Sequence, residues 1–228
     1  MSLPAVVMAA GLGTRLRPLT EAVAKPVLPV DGRPVVATLL RELAAAGARE
    51  ATVVVGHLGD QVAAVVGDGS AYGLDVLVVR QPSPDGSADA VRVAGREPPY
   101  LVLAADTVFR PGDVGRFTDR FLAAGVAGAI AVRRHEAKST IAIEEERVVR
   151  VVDRGGPGPW TGAPLWAVGA PVHERLCLDA APYELGNAFQ RAIDDGHAVA
   201  AVPIASTRDL TRPLDLLREN FPYLRTIT

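Results

Sequence analysis

Leu3-Pro4-Ala5-Val6-Val7-Met8-Ala9-Ala10-Gly11-Leu12-Gly13-Thr14-Arg15 is a run of aliphatics that opens into a glycine-rich turn. Ala5–Ala9 offers no polar side chain to either face of an extended chain, the pattern of a strand buried on both sides in a parallel sheet. The pattern returns at Ala51–Val55, Asp75–Val79 and Tyr100–Ala104. Helical patterns separate these runs, at Pro34–Ala46, Leu58–Val66, Ser87–Ala94 and Asp113–Ala124. In the first helix Pro34 stands near the start and Gly47 past the end, with Val36, Leu39, Leu40 and Leu43 at helical spacing. Strand, helix, strand in repetition predicts a doubly wound α/β sheet whose functional loops leave the carboxyl ends of the strands.

The second half changes character. Ala127–Arg133, Thr140–Glu144 and Val148–Asp153 are short strands with close turns, which predicts a small antiparallel flap. The Gly155-Gly156-Pro157-Gly158-Pro159 cluster reads as a loop or lid. A helix over Glu184–Asp195, a strand at Ala198–Val202 and a helix at Leu214–Asn220 complete the pattern.

At 228 residues the chain suits one sizeable domain. Its 24 basic and 26 acidic residues leave a net charge of −2, without the basic excess that nucleic-acid or membrane-surface binding requires. The single cysteine, Cys177, excludes an intrachain disulfide, and no Cys/His cluster has zinc-ligand spacing. No basic start precedes an apolar core, and apolar runs are broken well short of about 18 residues, so a cytoplasmic protein is expected. A homo-oligomer stays open.

Gly11 and Gly13 are placed to take positive φ and to let backbone N–H groups approach an anion, while Arg15 and Lys25 can reach its oxygens. Leu16 stands where a dinucleotide fingerprint has its third glycine, and the Gly-Lys-Ser/Thr ending of a P-loop is missing. The full pattern is Gly11-x-Gly13-Thr14-Arg15-Leu16-x-Pro18-Leu19-Thr20, then Lys25-Pro26-x-Leu28-Pro29-Val30. It resembles the signature of sugar-phosphate nucleotidyltransferases, the pyrophosphorylases that make nucleotide sugars. The resemblance runs from Val6 to Asn220, dense at both ends and thin between Arg133 and Pro182. It implies a single nucleotidyltransferase domain over residues 1–228, with a Rossmann-like, mixed and mostly parallel sheet flanked by helices. Ala10, Gly11, Gly13, Thr14 and Arg15 would bind the nucleotide, with Arg15 and Lys25 as catalytic groups. Nothing after the last motif matches the β-helical acyltransferase extension of bifunctional relatives.

Three further segments carry chemistry. Gln81-Pro82-Ser83-Pro84-Asp85-Gly86-Ser87 follows the third strand; it reads either as a turn before a helix or as a base-recognition segment. The Gln81 amide offers one acceptor and two donors, enough for N3–H and O4 of uracil or thymine, and Gly86 would admit backbone close to the base. The segment looks like that of glucose-1-phosphate thymidylyltransferases in particular. Asp106 ends the apolar strand Tyr100–Ala104, where an acid either caps a helix or holds a divalent cation beside phosphates. The segment Thr207-Arg208-Asp209-Leu210-Thr211-Arg212-Pro213 is similar to the family's second metal motif, with Thr207 and Thr211 replacing its Trp and Gly. The resemblance therefore implies Mg²⁺ held by Asp106 and Asp209.

For the acceptor, the resemblance suggests Arg154 as a phosphate ligand, Gly162 lining a sugar pocket and Glu184 accepting from sugar hydroxyls; solvated charges and turns are the alternatives. Trp160 and Trp166 bracket the expected sugar loop, either to stack on a ring or to pack the core. The histidines lack partners at ligand spacing and read as surface or loop residues. The expected substrates are a nucleoside triphosphate, UTP or dTTP, and a sugar-1-phosphate such as glucose-1-phosphate, giving a nucleotide sugar and pyrophosphate. Uridylyl transfer to another acceptor such as N-acetylmuramate-1-phosphate, and a non-catalytic nucleotide-sugar sensor, remain alternatives.

Overall fold

The computed structural model describes residues 2–134, 140–151, 158–176 and 183–221. In chain order the strands are β1 (Ala5–Ala9), β2 (Pro29–Val30), β3 (Arg33–Pro34), β4 (Glu50–Val55), β5 (Asp75–Arg80), β6 (Tyr100–Ala104), β7 (Thr107–Val108), β8 (Gly128–Arg134), β9 (Ile141–Glu144), β10 (Arg147–Val151), β11 (Trp160–Val168), β12 (Val199–Pro203) and β13 (Arg208–Asp209). The α-helices are α1 (Leu19–Ala22), α2 (Val35–Ala45), α3 (Gly59–Val66), α4 (Ser87–Val93), α5 (Asp113–Ala124), α6 (Ala170–His173), α7 (Leu185–Asp194) and α8 (Pro213–Asn220).

Nine strands form one sheet in the order β5-β4-β1-β6-β11-β8-β12-β10-β9. β5, β4, β1 and β6 are parallel neighbours; β4, β1 and β6 are covered on both faces, whereas β5, expected to be buried likewise, is the sheet edge and leaves Leu77 exposed. β11 inserts antiparallel between β6 and β8, and β12 returns parallel to β8. β9 and β10 add an antiparallel pair at the far edge. The sheet is therefore mixed and mostly parallel, and two-stranded ribbons β2–β3 and β7–β13 accompany it.

Alternate side chains of β1 supply both layers. Ala5, Val7 and Ala9 pack with Leu39, Leu40 and Leu43 of α2, Val62 of α3 and Phe117 of α5 on one face. Val6 and Ala10 pack on the other with Ala90 of α4 and Leu185, Ala188 and Phe189 of α7. A third cluster, Leu16, Leu28, Val30, Val35 and Leu210, pins the N-terminal loop to β13. Two further ties join the chain's ends: Arg208 pairs with Asp31 at 2.5 Å, and Asn220 Nδ2 donates to the Pro29 carbonyl at 2.8 Å. The Arg208 guanidinium holds the Asp31 carboxyl below the usual carboxylate range.

Two readings of the second half need correction. Ala127–Arg133 was expected in a flap, yet β8 lies inside the main sheet between β11 and β12. Only β9 and β10 make the antiparallel edge. Trp160 and Trp166 were expected to bracket a loop, but both belong to β11. Its buried positions alternate through Thr161, Ala163, Leu165 and Ala167, the period of a strand. Pro164 disguises it in sequence; the register shifts between Gly162 and Trp166, as a proline inside a sheet requires. The Gly155–Pro159 cluster lies outside the described residues as far as Pro157.

His173 contacts the hydroxyl of fully buried Tyr100 through Nδ1 at 2.9 Å, a structural role. Burial, and then the Glu97 charge, push the Tyr100 phenol above its ordinary value.

Phe189 is fully buried where α7 meets the sheet. Phe189→Ala should lower unfolding free energy by about 3–5 kcal/mol, the sum of lost burial and a residual cavity. Urea denaturation followed by circular dichroism measures it, with an unchanged m-value expected.

Candidate active site

The carboxyl ends of β1, β4, β5 and β6 all open on one rim, because these strands are parallel. A cleft of about 290 Å³ lies there. Ala10 and Gly11 follow β1, Gln81 follows β5, Asp106 follows β6, and Lys25 closes one side; Gly86 and Glu184 close the other. The loops after β1, β5 and β6, with Glu184 at the start of α7, thus bring seven of the sequence-selected residues to one cleft.

Gly13, Thr14, Arg15, Gly162 and Asp209 do not line this cleft. Gly13 takes φ +63°, and a Cβ there would meet Thr20 Cγ2 at 2.9 Å, so both backbone conformation and space require glycine. The Thr20 hydroxyl donates to the Gly13 carbonyl at 2.9 Å. Gly11 does not share that conformation: it is absent from the positive-φ glycines, and open space surrounds its missing side chain. The expectation of positive φ therefore holds for Gly13 alone. Thr14 and Arg15 are exposed on the 3₁₀ turn that follows. Arg15 has no partner among the described residues, so its guanidinium is available to an anion.

Sequence reading missed what fixes this loop. His57 Nε2 donates to the Thr20 carbonyl at 2.8 Å. Gln61 on α3 binds both Ala22 and Ala24 backbone groups at 2.8 Å. Neither residue carries a local signal, since the partners lie 37 and 39 positions away.

The two metal candidates are neighbours. β13 pairs with β7 so that Asp209 lies opposite Thr107. The Thr107 hydroxyl lies 3.1 Å from Asp209 Oδ1 and 3.4 Å from Asp106 Oδ1. Lys25 Nζ donates to Asp106 Oδ2. Arg133, from the end of β8, pairs with Asp209 Oδ2 at 2.9 Å, and the Thr207 hydroxyl donates to the same oxygen at 2.9 Å. Each carboxylate therefore already faces a cation. Arg133 Nε is the one fully enclosed side-chain nitrogen or oxygen without a partner among the described residues. Neither Thr107 nor Arg133 carries a local sequence signal for these contacts.

At the other end of the cleft Gln81 is 5% exposed. Its Nε2 donates to Asp89 Oδ2 at 2.8 Å and to the Gly86 carbonyl at 3.3 Å. Both amide hydrogens are thereby engaged, and Oε1 is left without a partner among the described residues. Gly86 is needed for a reason other than the expected approach of a base. A Cβ on it would meet the Tyr183 backbone at 2.5–2.8 Å. Ser87 and Glu184 tie the starts of α4 and α7 together: the Ser87 hydroxyl donates to Glu184 Oε2 at 2.6 Å and accepts from Leu185 N–H at 2.7 Å.

Gly162, expected to line a sugar pocket, sits inside β11 opposite Val132, its N–H donating to the Thr140 hydroxyl at 3.1 Å. Arg134 stacks over the Trp160 ring at 5.2 Å. Arg154 lies outside the described residues.

The donor set suits a hard cation. Two neighbouring carboxylates at one rim are a donor set of the kind Mg²⁺ takes, since that ion is typically held by one or two carboxylates and completed by phosphate and water oxygens. Among the described residues no three His, Cys, Asp or Glu side chains gather as a self-sufficient metal site. No helix among them is long and apolar enough to cross a membrane.

Comparison with known proteins agrees with this geometry. The family model described as nucleotidyl transferase matches residues 4–145. Mannose-1-phosphate guanylyltransferase of Mycobacterium tuberculosis is 30% identical over 238 residues, covering 98% of this chain and 65% of that protein. Glucose-1-phosphate thymidylyltransferase of Streptomyces griseus is 43% identical over 90 residues, covering 40% of this chain and 25% of that protein. The chain thus spans less than two thirds of the length of these curated relatives. In fold it resembles the solved UDP-glucose pyrophosphorylase of Acinetobacter baumanii, with a TM-score of 0.81 over 98% of this chain and 93% of that one at 20% identity. The match over more than half its length, on the segment that carries the glycine loop, Lys25, Gln81 and Asp106, means that the chain belongs to the nucleotidyl transferase family.

Proposed function

We propose that this protein transfers a nucleotidyl group from UTP or dTTP to a sugar-1-phosphate, with release of pyrophosphate. The observation that carries the reading is the convergence of Gly11, Lys25, Gln81 and Asp106 on one cleft. A backbone loop, a cation, an amide and an acid are the groups needed for phosphates, charge, base and metal. The relatives' names point to different bases, thymine and guanine, so the choice rests on this chain's own residues.

A phosphate monoester is largely dianionic at neutral pH, its second pKa being about 6, so the acceptor oxygen attacks the α-phosphorus without a general base. The bond from that phosphorus to the bridging oxygen of pyrophosphate breaks as the new one forms. The protein's work is to bring two polyanions together in line and to absorb charge on the leaving group. Lys25 carries three N–H donors, so it can turn one to a phosphate while keeping Asp106. Exposed Arg15 reaches the β- and γ-phosphates as they depart. Asp106 and Asp209 would hold Mg²⁺, which supplies charge neutralisation at the phosphates when bound. For Asp209 this requires Arg133 to yield its place on Oδ2.

Two outcomes test this assignment. Arg15→Ala should lower kcat by about two orders of magnitude, the cost of one preorganised electrostatic contact, with the melting temperature unchanged. Full turnover in that variant removes Arg15 from the chemistry.

Asp106→Asn and Asp209→Asn keep side-chain shape and remove charge. Each should reduce Mg²⁺-dependent pyrophosphate release by about a hundredfold or more, while circular dichroism stays that of the parent. The assay is run with four nucleoside triphosphates against a panel of sugar-1-phosphates. An active Asp209→Asn variant would leave Asp209 a purely structural partner of Arg133 and favour a one-carboxylate site. Absence of turnover with every pair would favour a nucleotide-sugar sensor.

A further inference from the structure

Asp89 is a carboxylate 6% exposed on the inner face of α4, with no place in the chemistry described above. Its Oδ2 accepts from Gln81 Nε2 at 2.8 Å, and its Oδ1 accepts from Arg92 Nη2 at 3.0 Å. The second acceptor for the Gln81 nitrogen is the Gly86 carbonyl. Both partners of that nitrogen are oxygens without a proton to give. Turning the amide over would set Oε1 against a carboxylate and a carbonyl, acceptor against acceptor, in a nearly dry place. The amide therefore has one orientation, and the atom left without a partner among the described residues is the oxygen. Gln81 lines the cleft, and its Oε1 is not among the sealed, unpartnered atoms, so a ligand can reach it.

We propose that Asp89 determines base specificity: by holding the Gln81 nitrogen it presents an obligate acceptor to the base, which selects uracil or thymine over cytosine. This rests on the reading of Gln81 as the base contact. Uracil and thymine carry N3–H, a donor that meets Oε1. Cytosine carries a lone pair at N3, which faces Oε1 with like charge. A free glutamine could turn over and serve either base; one tied to a carboxylate cannot. Asp89 is thus a positioning residue that acts through Gln81, and its effect lies in the ratio between nucleotides and not in overall affinity.

The test is calorimetric titration of UTP, dTTP and CTP into the parent protein and Asp89→Asn. Asparagine has nearly the same shape and can offer Gln81 either an acceptor or a donor, so the Gln81 amide regains its second orientation. The parent should prefer UTP and dTTP over CTP by about tenfold or more, the ratio produced by one mispaired hydrogen bond. In Asp89→Asn that preference should fall to about threefold or less, chiefly through tighter CTP binding, with UTP affinity nearly kept. A merely structural Asp89 would weaken all three nucleotides together and leave the ratio unchanged, which overturns the proposal. Should Asp89→Asn fail to fold, Asp89→Ala removes the acceptor with a strong helix former and is read by the same ratio. A parent protein without preference between UTP and CTP overturns both this inference and the reading of Gln81. A parent with preference and a variant that keeps it overturns the role of Asp89 alone.

Discussion

Two carboxylates stand side by side at the rim of the sheet, and the structure around them answers that charge. Asp106 and Asp209 approach the same Thr107 hydroxyl, a placement that would be repulsive without compensation. Lys25 compensates the first and Arg133 the second. These residues come from the N-terminal loop, β6, β8 and β13, so four distant segments are held at one point by opposite charge. The hydrophobic cluster of Leu16, Leu28, Val30, Val35 and Leu210 ties the N-terminal loop to the segment that follows β13. Arg208, next to Asp209 on β13, points to Asp31 and Glu219, so alternate residues of one short strand serve the site and the anchor.

The two sides of the rim differ in construction. β5, β4, β1 and β6 form a regular parallel half whose loops carry the glycine turn, Gln81 and Asp106. Residues 4–145, the part matched by the nucleotidyl transferase model, contain this half entirely. Beyond β6 the sheet is mixed, with β11 running against its neighbours. Parallel neighbours send their loops to one edge, where the cleft lies. Antiparallel insertion places both strand starts and strand ends at that edge, bringing Trp160, Arg133 and Arg134 together from different directions.

Helices α4 and α7 close the cleft, and their contact explains two residues that looked like ligand contacts in sequence. Gly86 is glycine because the Tyr183 backbone lies against it, and Glu184 receives the Ser87 hydroxyl. Both still line the cleft. Their first duty is to join two helix starts, and any contact with substrate is built on that junction.

Periodicity determined most of the first half by itself. Apolar runs at Ala5–Ala9 and Tyr100–Ala104, and the helix over Asp113–Ala124, stand where hydrophobic pattern and capping place them, because local sequence and burial agree there. The glycine turn, Gln81 and Asp106 were singled out for the same reason, since each follows a strand end, and Lys25 only by its spacing within the motif. Tertiary structure decided the rest. Pro164 hid β11, since a proline tolerated at a register shift looks like a loop in sequence. Gly11 and Gly13 are alike on paper, and only the folded backbone, with φ +63° at Gly13 and its contact with Thr20, separates them. Arg133 and Asp89 gave no sign of their partners, because an ion pair spanning 76 positions, 133 to 209, and an amide clamp between the loop after β5 and helix α4 depend on where the chain folds back. Sequence thus chose the groups gathered at the cleft, and packing chose which atoms of those groups remain without a partner among the described residues.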